Sequence, residues 1–152
     1  GLSGPNLRAT GFRYDIRNAE AYSSYGDFDF EIPTGQNGDT FDRYWVRIQE
    51  MRQSLRIIRQ AVEGLPEGDF RAKVPRLVKP PAGAAYGHTE GSKGDMGYYV
   101  VSDGNERPYR VKIRGPSFLH VAALPRMLIG HKVADLIAVL GSIDIVLGEV
   151  DR

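Results

Sequence analysis

The chain has 152 residues, 20 basic against 19 acidic, and no cysteine. That length points to a single domain, and the near-cancelling charge gives no global field for nucleic acid. The missing thiols exclude disulfides, thiolate metal sites and iron–sulfur clusters on this chain.

Residues 1–38 are rich in Gly, aromatics and charge and read as an irregular arm. Phe12, Tyr14 and Ile16 alternate with Arg13, Asp15 and Arg17, which allows a short extended segment; Phe28, Phe30 and Ile32 alternate likewise and stop at Pro33. These pieces are expected to lie as aromatic anchors on larger helices. Residues 39–63 carry the strongest signal. Phe41, Tyr44, Trp45, Ile48, Met51, Leu55, Ile58 and Val62 recur at steps of three and four, which predicts one helix over Asp39–Val62. Asp39 or Thr40 can cap its start, and Gly64 and Pro66 stop it. Tyr44, Ile48, Met51, Leu55 and Ile58 are expected in the core, while Val46 and Ile57 fall off the stripe.

Residues 64–87, with Pro66, Pro75, Pro80 and Pro81, read as a surface linker. Residues 88–115 carry the β signal. Gly97–Ser102 and Tyr109–Arg114 flank the turn residues Asp103-Gly104-Asn105 and predict an antiparallel hairpin. An extended partner is expected near Tyr86–Glu90, because a lone hairpin is marginal. Residues 116–152 read as helices and a buried tail. Pro116 breaks the strand, Ser117 caps a helix to Met127, and a second helix runs from about Gly130 to Leu140, ended by Gly141-Ser142. In the tail Ile143, Ile145, Val146 and Leu147 are too apolar for water, and Asp144 among them needs a donor, for which Arg114 is the candidate. The fold class is α+β: a long helix, shorter C-terminal helices and a small antiparallel sheet.

Single motifs are weak. Gly91–Gly97 with Lys93 lacks P-loop spacing and precedes a strand, so it reads as a tight turn. His88, His120 and His131 are dispersed and read as structural. Arg43 with Arg47, and Arg52 with Arg56, sit one helical turn apart; they can clamp an anion but read first as a solvated or interface face. Fifteen of the basic residues are Arg and five Lys, a bias toward buried ion pairs or interfaces. Asp144, Glu149 and Asp151 are the carboxylates available for acid–base work. No apolar run reaches membrane-helix length, and no signal-peptide pattern opens the chain.

Longer motifs, taken together, are specific. GPNLRATG (Gly4–Gly11), YDIR (Tyr14–Arg17), FDFEIPTG (Phe28–Gly35), GDTFDRY (Gly38–Tyr44) and VRIQEMRQSLRIIRQ (Val46–Gln60) are followed by EGSKGDMGYYVVSDG (Glu90–Gly104), RPYRVKIRGPSF (Arg107–Phe118) and GSIDIVLGEVDR (Gly141–Arg152). In this order they resemble the C-terminal part of the D subunit of proton-pumping NADH–quinone oxidoreductase, respiratory complex I, a family related to the large subunit of nickel–iron hydrogenases.

The resemblance implies the C-terminal portion of a hydrogenase-large-subunit-like fold. Val146 and Glu149 stand at the hydrogenase cysteine positions, with Asp144 just upstream. Lys93 stands where hydrogenases place an Arg over the metal, and Pro116 and Ser117 match a proline–hydroxyl pair there. Without thiolates nickel and iron cannot be held, and the former metal cavity is implied to be part of a quinone pocket. Asp144, Val146, Glu149, Lys93, Pro116 and Ser117 are the pocket candidates. The chain is expected to bind no cofactor itself, with quinone as substrate of the assembled complex and NADH oxidised elsewhere in it. Implied partners are an iron–sulfur subunit and other peripheral-arm and membrane subunits, with no nucleic acid; for a bacterial protein the implied place is the cytoplasmic face of the inner membrane, peripherally bound. The chain alone is expected to be inactive. The alternative reading is a non-catalytic interaction module of that complex or of a related ferredoxin-, F420- or sulfur-linked one. The link Pro75–Tyr86 is shorter than the family usually has and lacks its paired-His segment.

Overall fold

A computed structural model describes residues 1–151. Its spine is a 24-residue helix, α3, Thr40–Glu63. Asp39 caps it, its Oδ1 accepting from the Asp42 amide at 2.8 Å. Asp42 in turn accepts from the amides of Gln36, Asn37 and Gly38, and these bonds hold its carboxyl below the usual range. The Gly64 amide closes the other end on the Gln60 carbonyl.

The helix is where the periodicity predicts it, but the face turned inward is not the apolar one. Tyr44, Met51, Leu55 and Ile58 are exposed, Leu55 by 64%, while Val46 is 1% exposed. Asp42, Arg43 and Val46 are the residues of α3 that are buried, and Arg47, Glu50, Gln53 and Ile57 continue that edge half-buried. These positions also recur at steps of three and four. The helix therefore has two faces with correct spacing, and the rest of the chain lies on the polar one because that face offers hydrogen-bonding partners. The segment at Asp29 and Glu31 shows how: their amides donate to the side chains of Gln60 and Gln53, so it is held by backbone polarity more than by its aromatics. Phe28, Phe30 and Ile32 form no strand.

The arm, expected to be irregular and to anchor through its aromatics, forms short helices and supplies much of the core. It folds into α1 (Gly4–Arg8), α2 (Ile16–Ala19) and a 3-10 turn (Tyr25–Asp27). Ala9 and Ile16 are buried, as are Asn6, Arg8 and Asp15. Gly4 and Gly94 both have positive φ. A Cβ on Gly4 would stand 2.5 Å from the Gly94 Cα, so the two backbones touch where no side chain fits.

The sheet is antiparallel in the order β1-β2-β3: β1 (Gly83–Gly91), β2 (Gly94–Ser102) and β3 (Arg110–Arg114). Gly97 pairs with Arg114 and Val101 with Arg110, as a hairpin requires, and β1 supplies the extended partner, with Gly91 opposite Gly94 around the Ser92-Lys93 turn. Helix α4 (Pro116–Met127) starts at Pro116, capped by Gly115 and not by Ser117. Helix α5 runs Asp135–Ile143, later than expected, and passes through Gly141-Ser142. Its stop is Asp144, in the left-handed region at φ 57. The tail is less buried than its composition implied. Ile143 is fully buried, but Val146 and Leu147 are 43% and 71% exposed, and a short α6 (Leu147–Val150) follows. Among the described residues no helix is long and apolar enough to cross a membrane.

This packing reverses the ranking of α3 side chains. Val46→Ala is expected to cost ~2 kcal/mol, as for a fully buried aliphatic side chain, and Leu55→Ala under ~0.5 kcal/mol, as for a surface change. Urea unfolding of the two variants measures the order; a larger loss at Leu55 would return the apolar face to the core.

Candidate functional site

Elements distant in sequence meet beside α3. The β1–β2 turn presents Lys93, the end of α5 presents Asp144, and the Lys93 ammonium pairs directly with the Asp144 carboxylate. Arg47 Nε of α3 lies 3.5 Å from the same carboxylate oxygen. Arg114, expected to partner Asp144, binds Asp95 instead at 2.6 Å; β3 delivers it to β2 before the chain reaches α5.

The other four candidates form an adjoining knot. Pro116 and Ser117 are buried in the first turn of α4. Ser117 Oγ accepts from the Val146 amide at 3.2 Å, and the Ser117 amide donates to Glu149 Oε2 at 2.9 Å. Glu149 thus sits at the α4 N-terminus, where free amides and the helix dipole favour a carboxylate. The tail is tied back by these two polar bonds.

Beside this knot opens a cleft of about 850 Å³. Tyr44, Ile48 and Met51 give it an apolar wall, and Arg8, Arg17, Arg47, Glu50, Glu90 and Asp144 line it with charged groups. Of the six candidates Asp144 alone lines it. Such an apolar wall suits a flat, weakly polar ligand, and the charged groups around it can orient that ligand by hydrogen bonds. Among the described residues no three or more His, Asp or Glu side chains are grouped to hold a metal ion.

Behind the site lies a polar layer that the sequence patterns did not announce. Arg47 donates to the carbonyls of Ser142 at 2.6 Å and Ile143 at 2.9 Å, and to Asn6 Oδ1 at 3.0 Å. Arg43 Nε donates to Ser142 Oγ at 2.9 Å. The pair that reads first as a solvated face is therefore an internal clamp, on carbonyls and a hydroxyl more than on an anion. Arg56, by contrast, stays at the surface on Asp29. Asn6 Nδ2 meets His120 Nδ1 at 2.9 Å, and the Ser3 amide donates to His120 Nε2 at 3.3 Å. The one-turn spacing of Arg43 and Arg47 is visible in sequence; nothing local marks Asn6 or His120.

A long helix, a small sheet and a C-terminal strap of helices, converging on a lysine–aspartate pair beside a cleft with an apolar wall, define an α+β chain. The model of the 49 Kd subunit of respiratory-chain NADH dehydrogenase matches residues 1–81 and 74–152; the chain belongs to that family. It is 59% identical over 150 residues to the D subunit of NADH-quinone oxidoreductase from Dehalococcoides mccartyi, covering 99% of this chain and 41% of that protein. It is 60% identical to the corresponding protein of Desulforamulus reducens, with the same shares covered, and 56% identical to one from Solibacter usitatus over 100% of this chain and 41% of that one. The chain thus spans about two-fifths of the length of these relatives.

Two histidines are shifted in opposite directions. Burial, aided by the charge of Arg47, pushes His120 down to about 4. His88 is raised: burial opposes its charge, but bonds to Glu20 and Asp95 outweigh it. His120 therefore adds stability that is full above the unfolded pKa near ~6.5 and falls as pH drops toward 4, while His88 adds stability that is full below ~6.5 and is lost as pH rises through its folded pKa. Imidazole NMR titration should show His120 neutral to about pH 4 and His88 titrating above an ordinary imidazole; an ordinary titration of His120 would place its ring in water.

Proposed function

We propose that this chain forms part of the quinone-reducing module of an NADH–quinone oxidoreductase, with Asp144 at the edge of the quinone pocket. Family membership supports the complex, and the observation that carries the pocket is Asp144, paired with Lys93, lining the cleft beside its apolar wall. Tyr44, Ile48 and Met51 supply a face for a quinone ring. Asp144, held between Lys93 and Arg47, supplies the acceptor that orients a reduced headgroup or takes part in its protonation. Val146 stands two residues beyond and is half-exposed, outside the lining of the cleft itself. Electrons come from an iron–sulfur cluster on a neighbouring subunit, and this chain binds no cofactor of its own. The protein acts peripherally, on the cytoplasmic side of the membrane, with other peripheral-arm and membrane subunits.

A second reading is favoured by one observation. Phe41, Tyr44, Trp45, Met51, Leu55, Ile58 and Val62 of α3 are all exposed, more contiguous apolar surface than an isolated domain leaves in water. A chain that only buttresses its neighbours would present such a face without using the cleft.

Two variants of the assembled enzyme in membranes separate the readings. Asp144→Ala should lower NADH-driven quinone reduction while electron transfer from NADH to ferricyanide survives, because that route bypasses the pocket. Val146→Met should shift sensitivity to quinone-site inhibitors more than the amount of assembled enzyme. Wild-type quinone reduction and inhibitor response in both would favour the buttressing role.

A further inference from the structure

Asp144 adopts a backbone conformation that side-chain-bearing residues rarely hold; among the described residues only Ser23 shares a positive φ without being glycine. Such a conformation persists where its surroundings determine it. Here the last carbonyls of α5, Ser142 and Ile143, have no helical amide to accept from, and both point into one guanidinium. Arg47 Nη1 takes Ser142 and Nη2 takes Ile143. Asn6 adds a second bond to the Ile143 carbonyl at 3.3 Å while its own oxygen accepts from Arg47, so the amide fits between arginine and carbonyl in one orientation only. Arg43 fixes Ser142 by its hydroxyl. The remaining Arg47 donor, Nε, is buried without a hydrogen-bond partner, although the Asp144 carboxylate is 3.5 Å away. Closing that gap to an ordinary ~2.9 Å bond takes a shift of roughly 0.6 Å.

We infer that Arg47 is the positioning residue for Asp144: it shapes the α5 terminus through two carbonyls and faces the carboxylate with its third nitrogen, Nε, so that Asp144 stays beside the cleft against Lys93. This rests on the reading that Asp144 borders the quinone pocket. The fork geometry matters more than the charge, because a lysine at 47 has one nitrogen for the two carbonyls, the Asn6 oxygen and the Asp144 carboxylate that three guanidinium nitrogens face. Arg47 is buried from solvent on the α5 side and also lines the cleft, so its substitution is felt on both sides of the turn.

The test is a double-mutant cycle on the assembled complex in membranes, normalised to enzyme content. Its members are Arg47→Gln, Arg47→Lys, Asp144→Asn and the two pairwise combinations. Decylubiquinone reduction and ferricyanide reduction are both measured with NADH. Arg47→Gln should lower kcat with decylubiquinone about tenfold and Arg47→Lys about threefold, graded by the bonds each retains, with ferricyanide reduction within about twofold of wild type. In the Asp144→Asn background neither Arg47 change should lower quinone reduction further, because residues acting as one unit are non-additive. If Arg47→Gln does not assemble, Arg47→Lys in the two backgrounds gives the same comparison. Multiplying losses, with Asp144→Asn itself impaired, would overturn the positioning role and leave the pocket reading standing. Wild-type quinone reduction in Asp144→Asn would overturn the pocket reading, and the positioning role with it.

Discussion

Arg8 holds this structure together. Its guanidinium is almost fully buried and pairs with Glu50 of α3 at 2.6 Å and Glu90 of β1 at 2.8 Å. It also donates to the Tyr14 carbonyl at 2.9 Å and lies 3.6 Å from Asp15. Burial disfavours the charge, but the two glutamates outweigh it and hold Arg8 above its ordinary pKa. The arm, the spine and the sheet share this one cation. Removing a partner from such a cluster strands a buried charge, which costs far more than a surface pair contributes. Arg17 closes the cluster on Asp15 at 2.6 Å and lies over the ring of Phe30, which carries the constraint along the arm.

Two consequences reach the site. Because Arg8 fixes α1 against α3, the N-terminal backbone is held at the β1–β2 turn, where Gly4 meets Gly94 and the Asp95 amide donates to Ser3 Oγ. That contact sets the height of Lys93. On the other side α3 carries Arg43 and Arg47 to the end of α5, which sets the height of Asp144. The lysine–aspartate pair forms where these two constraints meet, and neither residue would be placed by its own segment alone. The interior is accordingly polar: the buried aliphatic residues are few, while Ser3, Asn6, Arg8, Asp15, Arg43, Ser117, His120 and Ser142 are all enclosed. Nearly all their buried side-chain atoms are bonded, as low dielectric requires.

Much was legible from local rules. The periodicity of residues 41–62, the Asp39 cap and Gly64 located α3, since these signals arise within one helix. The alternation around Asp103-Gly104-Asn105 located the hairpin and its register, because strand pairing across a short loop is nearly local. The ordered motifs announced the family; of the six candidates that came with it, Lys93 pairs with Asp144 and Ser117 holds Val146 and Glu149, while Asp144 alone lines the cleft.

What the sequence by itself determined is therefore the α+β class, the elements and the lineage. Which face of α3 turns inward was decided by tertiary structure: both stripes have helical spacing, and the polar one holds the Arg8 and Arg47 partners that the arm and α5 need. The partner of Asp144 was decided there too, since Arg114 is taken by Asp95 and Lys93 arrives from a different turn. Helix α5 outran Gly141-Ser142 for the same reason. A glycine ends a helix only when nothing better satisfies the next carbonyls, and here Arg47, a residue 95 positions away in sequence, takes that role for Ser142.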